Sequence, residues 1–103
     1  NCGPCTVTIT ANNQSVPNNQ NSSAVICFQG NFNYSANFDL NGSTVCIDEG
    51  VTLTRNGGNW NGNWTINNYG TFNANSINFN SNNTINNFNT LNFPGSASMK
   101  EAS

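Results

Sequence analysis

The sequence predicts an all-β fold: a short right-handed parallel β-helix (a β-solenoid) of about four to five coils of roughly 20 residues each. Three observations predict it. Apolar residues come in pairs two apart, as in Val7/Ile9, Ile26/Phe28, Phe38/Leu40, Val45/Ile47, Val51/Leu53, Ile77/Phe79 and Leu91/Phe93. That period is the strand signature, with one face turned in and one out. The chain also repeats itself at about twenty residues. Finally, 26 of its 103 residues are Asn, a residue suited to the tight corners of a coil.

The repeat shows in several ways. Gly30, Gly50 and Gly70 fall twenty residues apart. Cut on that period, the blocks 24–43, 44–63, 64–83 and 84–103 begin with Val25-Ile26, Val45-Cys46-Ile47, Trp64-Thr65-Ile66 and Ile85. The segment Thr65-Ile66-Asn67-Asn68-Tyr69-Gly70-Thr71-Phe72-Asn73 returns as Thr84-Ile85-Asn86-Asn87-Phe88-Asn89-Thr90-Leu91-Asn92, at an offset of nineteen. No stretch carries a sustained helical pattern, and Asn, Gly and Ser are poor helix formers. Stacked coils sit about 4.8 Å apart. Asn tolerates left-handed backbone at corners, and Asn above Asn can hydrogen-bond as a ladder. Asn41-Gly42, Asn56-Gly57 and Asn61-Gly62 are turn signals. They would also suit hairpins, so an antiparallel meander is the competing fold.

The chain divides into a disulfide-bearing N-terminal cap and first coil (1–23), solenoid repeats (24–93) and a linker or tail (94–103), in which the Asn-rich pattern stops after Phe93-Pro94. Charged residues make up only 6% of the chain, with net charge −2 and no His. Two cations cannot neutralise a run of phosphates, so nucleic acid is not an expected partner. No apolar run reaches the length of a membrane helix, so membrane insertion is not expected either.

Four cysteines, Cys2, Cys5, Cys27 and Cys46, indicate an oxidising compartment and an extracellular or cell-surface location. Cys27 and Cys46 lie nineteen apart, one coil length. Stacking would bring their Cα atoms to about 5 Å, within disulfide range. The expected pairing is therefore Cys27–Cys46 with Cys2–Cys5, and the two crossed pairings remain open. Cys2-Gly3-Pro4-Cys5 has the form of a thioredoxin-type redox motif, but it runs into a strand pattern rather than a helix, so a structural bridge is expected there.

No catalytic residues, metal site or cofactor are expected. Ser and Thr are plentiful, but there is no His to act as base. Asp39, Asp48 and Glu49 are the only carboxylates of the repeat region. They read as turn residues, and two of them would have to share a face to form a glycosidase pair. Trp60, Trp64, Tyr69 and Phe72 form an aromatic cluster that serves either as interior packing or, through Trp60, Trp64 and Tyr69, as an exposed platform for a ligand such as a sugar. Thr6, Thr8 and Thr10 make one row, and Thr52 and Thr54 another. These rows are not expected to align from coil to coil, which argues against ice binding.

Cys-x-x-Cys-Thr-Val-Thr-Ile at the start, Val-Cys-Ile-Asp-Glu-Gly-Val-Thr-Leu-Thr at 45–54 and Thr-Ile-Asn-Asn-Tyr-Gly-Thr-Phe-Asn at 65–73 together resemble the Asn/Gly-rich parallel β-helix proteins of Bacteroidota. The resemblance covers residues 1–93. It implies a secreted or cell-surface protein, adhesin-like or a cargo of type nine secretion, and it carries over no catalytic residues. Such proteins end in a sorting domain, to which nothing here has a counterpart. The expected function is a non-catalytic structural or adhesive module of a longer surface fibre or a secretion cargo. Its expected partners are other protein chains, through self-stacking or the secretion machinery. Carbohydrate binding is the alternative.

Overall fold

The computed structural model describes residues 2–14, 23–33, 38–39, 42–56, 60–61, 63–75 and 83–92, with the backbone alone at 38, 39, 60 and 61. Eleven short strands appear among them: β1 (Val7–Ile9), β2 (Val25–Phe28), β3 (Phe32–Asn33), β4 (Phe38–Asp39), β5 (Thr44–Ile47), β6 (Thr52–Arg55), β7 (Trp60–Asn61), β8 (Trp64–Asn68), β9 (Thr71–Ala74), β10 (Asn83–Asn87) and β11 (Thr90–Asn92). They form three sheets, ordered β1-β2-β5-β8-β10, β3-β6-β9-β11 and β4-β7. Every pairing is parallel. This is a parallel β-solenoid and not the antiparallel alternative. The tail at 94–103 and the Ile77/Phe79 pair lie outside the described residues.

Strand alternation builds the interior. In the first sheet Val7, Ile26, Val45, Ile66 and Ile85 stack in register, and the last four are fully buried. In the second sheet Phe32, Leu53, Phe72 and Leu91 form the matching column. These columns meet in one hydrophobic core with Ile9, Phe28, Ile47, Val51, Trp64 and Ala74. A two- or three-residue strand alone buries too little to persist; stacked, each one covers the next.

The spatial period is nineteen residues rather than twenty, lengthening across one coil, where Phe32↔Leu53 steps by twenty-one and Phe38↔Trp60 by twenty-two. Ile26↔Val45 and Ile66↔Ile85 step by nineteen, whereas Val45↔Ile66 steps by twenty-one. The two extra residues lie in one corner. Ile47 stacks on Asn68 and Leu53 on Phe72, so six residues in one coil do the work of four in the next. The excess falls at Asp48-Glu49-Gly50, where the Asp48 carboxylate accepts the Glu49 amide at 2.8 Å and Gly50 takes φ 77°, a conformation suited to glycine. The even spacing of Gly30, Gly50 and Gly70 is thus partly a product of this insertion.

The column Ile9, Phe28, Ile47, Asn68, Asn87 changes chemistry partway down, where the corners become tight. Asn68 is fully buried. Its amide donates to Asn87 Oδ1 and Thr90 O at 2.8 Å each, and its Oδ1 accepts the Gly70 amide at 3.1 Å. One side chain thereby satisfies polar groups in two coils. Asn68→Ala is expected to destabilise the chain by about 3 kcal/mol, since it strands buried polar groups and opens a cavity. A denaturant midpoint lowered with an unchanged slope would show it.

Candidate functional site

The N-terminal segment forms a staple across the outside of the first sheet. Disulfides join Cys2 to Cys46 and Cys5 to Cys27, with Cα separations of 5.7 and 5.9 Å. The expected Cys27–Cys46 and Cys2–Cys5 pairing is therefore wrong, even though Cys27 and Cys46 do stack in register. The reason is direction. Side chains of stacked residues leave parallel strands along nearly parallel lines, so their Cβ atoms stay about 4.8 Å apart, beyond the roughly 3.5–4.5 Å a disulfide needs. Both point to the outer face, opposite Ile26 and Val45, and residues 2–5 lie over them. Outward-facing Cys27 and Cys46 are accordingly buried, at 0% and 2% exposure. Two disulfides point to an oxidising environment.

The aromatic cluster separates. Trp64 is 1% exposed and packs in the core, so it is not part of an exposed platform. Trp60 pairs through its backbone with Phe38, and its side chain lies outside the described residues. Tyr69 is half-buried and stacks face to face on Phe88, with centroids 4.8 Å apart and planes 8° from parallel. Phe88 is 61% exposed, the one large exposed apolar side chain among the described residues. The repeat comparison aligned Phe88 with Tyr69, which was the available signal for this pair.

The carboxylates do not form a described pair across a cleft. Asp48 and Glu49 are neighbours in the corner insertion, and Asp48 secures its own turn. Asp39 lies in β4, and its side chain is outside the described residues. Among the described residues no three His, Cys, Asp or Glu side chains gather as a metal site, and no helix is long and apolar enough to cross a membrane. Arg55 was unremarked in the repeat pattern, yet it is fully buried at the inward position after Leu53, in register with Ala74. The period-two alternation Val51/Leu53/Arg55 would have placed it inside.

The outer faces carry the regular chemistry. Contrary to the sequence expectation, threonines do align. Thr44, Thr65 and Thr84 stack on the first sheet, and Thr52, Thr71 and Thr90 on the second. Beside them run Asn columns. Asn86 donates to Asn67 at 2.9 Å, Asn92 to Asn73 at 2.7 Å, Asn73 to Thr54 at 3.1 Å and Asn75 to Asn56 at 2.6 Å. Each link joins residues nineteen apart. The rows repeat about every 4.8 Å along the stack and about every 7 Å along a strand. A rigid twenty-residue cut hides these columns, because it slides Thr44 and Thr84 out of line with Thr65. No protein-family profile, curated protein or solved structure matches this chain; what stands is a parallel β-solenoid laddered by asparagine.

Proposed function

We propose that the chain is a non-catalytic structural or adhesive module of a secreted or cell-surface protein, one that joins other chains into a longer fibre or travels as a secretion cargo. The observation that carries this reading is the Asn and Thr ladder system. The polar side chains of the outer faces are hydrogen-bonded along the stack, one coil to the next. Such chemistry makes a durable rod with repeating sides. The disulfides support export, and the resemblance of the sequence motifs to those of Asn/Gly-rich β-helix proteins of Bacteroidota supports a cell-surface or type nine secretion setting. Asp48 is engaged in its own turn, which supports a structural role for the carboxylates.

The test pairs two measurements on the purified chain. Electron microscopy and analytical ultracentrifugation at rising concentration are expected to show end-to-end association, or beads coated with the chain to attach to polysaccharide films. Monomers at every concentration that also fail to attach would overturn the reading. So would release of reducing sugar ends that disappears in Asp48→Asn/Glu49→Gln.

The aligned Thr columns favour a second reading, binding to a repeating lattice such as crystalline polysaccharide or ice. Thr71 is outward-facing and half-exposed, so Thr71→Tyr interrupts the array and leaves the core intact. Under this reading that change removes pull-down by cellulose or inhibition of ice recrystallisation, with the melting midpoint nearly unchanged. Equal activity in the variant would exclude the face.

A further inference from the structure

The two outer faces of the stack are not equivalent. On the first sheet the outward column Cys27, Cys46, Asn67, Asn86 is buried at its first two levels, where the disulfides hold residues 2–5. The second sheet differs, because every described outward residue there keeps some exposure. All of them are Asn or Thr, so this face carries no ionised side chain among the described residues. Two ladders run side by side along it. Asn92 donates to Asn73 and Asn73 to Thr54, and in the next column Asn75 donates to Asn56. The hydroxyl column Thr52, Thr71, Thr90 flanks the first ladder.

The ladder leaves hydrogen-bonding capacity over. A carboxamide has two N–H donors and an oxygen with two lone pairs. Asn73 spends one donor on Thr54 and one lone pair on Asn92. One of each remains on a half-exposed side chain. The coils repeat about every 4.8 Å, which is also the repeat at which stacked, hydrogen-bonded amides settle. This face is therefore in step with any other ladder of amides.

We propose that the outer face of the second sheet binds a crystalline polysaccharide of N-acetylated sugars, whose acetamido groups are themselves hydrogen-bonded from chain to chain as amide ladders. The proposal rests on the lattice-binding reading of the Thr columns, and it names the face and the solid. One acetamide ladder lies along Thr54, Asn73 and Asn92. Each acetamide N–H is spent within its own ladder, but its oxygen has a second lone pair, which takes the remaining Asn N–H. The sugar chains then run across the stack, parallel to the strands, and their hydroxyls meet Thr52, Thr71 and Thr90.

Other occupants fit less well. Nucleic acid and anionic polymers need cations, which this face lacks. Protein partners are held by buried aromatic or Arg anchors, and Asn and Thr supply none. Cellulose and ice present hydroxyl groups and water without amides, so an amide ladder gives them no advantage over a plain hydroxyl row.

The experiment measures depletion of the full chain from solution by four solids: crystalline chitin, the same fibres deacetylated, deacetylated fibres acetylated again, and cellulose. Salt at about 0.15 M screens attraction between the freed amines and a chain of net charge −2. The expected result is saturable binding to chitin, at least about 10-fold weaker binding to cellulose and to the deacetylated fibres, and recovery on re-acetylation. Asn73→Asp removes the remaining donor yet still accepts from Asn92. It should weaken chitin binding by about 10-fold with the melting midpoint nearly unchanged. Asn67→Asp, the matching change on the first sheet, should leave binding as it was. The proposal is overturned by equal binding to acetylated and deacetylated fibres, by cellulose binding as tight as chitin binding, or by equal effects of the two variants. Those results leave the lattice reading standing. Failure to bind any of the solids, with no inhibition of ice recrystallisation, sinks both. Dimers that Asn73→Asp dissociates, without chitin binding, assign the face to a second copy and overturn the proposal as well.

Discussion

Reducing the two disulfides is expected to lower the thermal midpoint by more than about 10 °C, the largest single effect available in this chain. Cys5–Cys27 and Cys2–Cys46 close loops with sequence separations of 22 and 44. The loop-entropy relation assigns each about 3 to 4 kcal/mol. The position of the bridges adds to the effect. In a stack where each coil touches only its neighbours, the end coil frays first. Here the chain start is tied to the second and third strands of the first sheet, so fraying must carry three levels together. Cys5→Ser/Cys27→Ser should speed hydrogen exchange in β1 and β2, and Cys2→Ser/Cys46→Ser should extend that to β5. Melts with and without reductant that agree within about 3 °C would refute this account.

Gly70→Ala should cost about 3 kcal/mol, at the upper end of ordinary overpacking. Gly70 is buried below the Asp48–Val51 corner. A Cβ there would fall onto the carbonyl oxygens of Asp48 and Val51, which are backbone atoms that cannot rotate aside. The Val51 oxygen is also held by the Thr71 amide at 2.8 Å. Glycine is required by this close approach, because the overhanging corner holds two residues more than the corner beneath it. Deleting Asp48 and Glu49 trims the overhang, and Gly70→Ala in that background should cost markedly less. Urea midpoints for the four proteins of this cycle measure the coupling, and equal costs in both backgrounds would show that the corner is not responsible.

The architecture was legible because it rests on period-two pairing and near-identity between 65–73 and 84–92, both of which survive a small error in register. The Cys pairing was not legible. Sequence spacing reports which residues stack, but a disulfide depends on where Cβ points, and parallel neighbours point alike. The Thr columns were hidden by the same two residues that crowd Gly70: a fixed period cannot follow a coil that lengthens once and then returns. Trp64 shows a third limit. Its composition suits both a platform and a core, and only its inward position, in register with the buried Asn83, decides between them. Phe88 was visible as the partner of Tyr69 in the repeat, yet its exposure follows from being on the last described coil, which no local pattern announces.

The direction of the outer ladders has a consequence for a chain with so few charges. Asn73, Asn75, Asn86 and Asn92 all donate toward the coil that precedes them. Their amide dipoles therefore align, positive ends toward the N-terminal coil and negative ends toward the C-terminal one, and aligned hydrogen bonds polarise one another. The outer side chains thus give the rod an axial polarity, much as peptide dipoles do for a helix, with the buried Asn68 donating the other way, to Asn87. Two rods meeting nose to tail would add their fields, and two meeting tail to tail would oppose them. Were the chain to assemble into a fibre as proposed, orientation along it would be set by asparagine rather than by any ionised group.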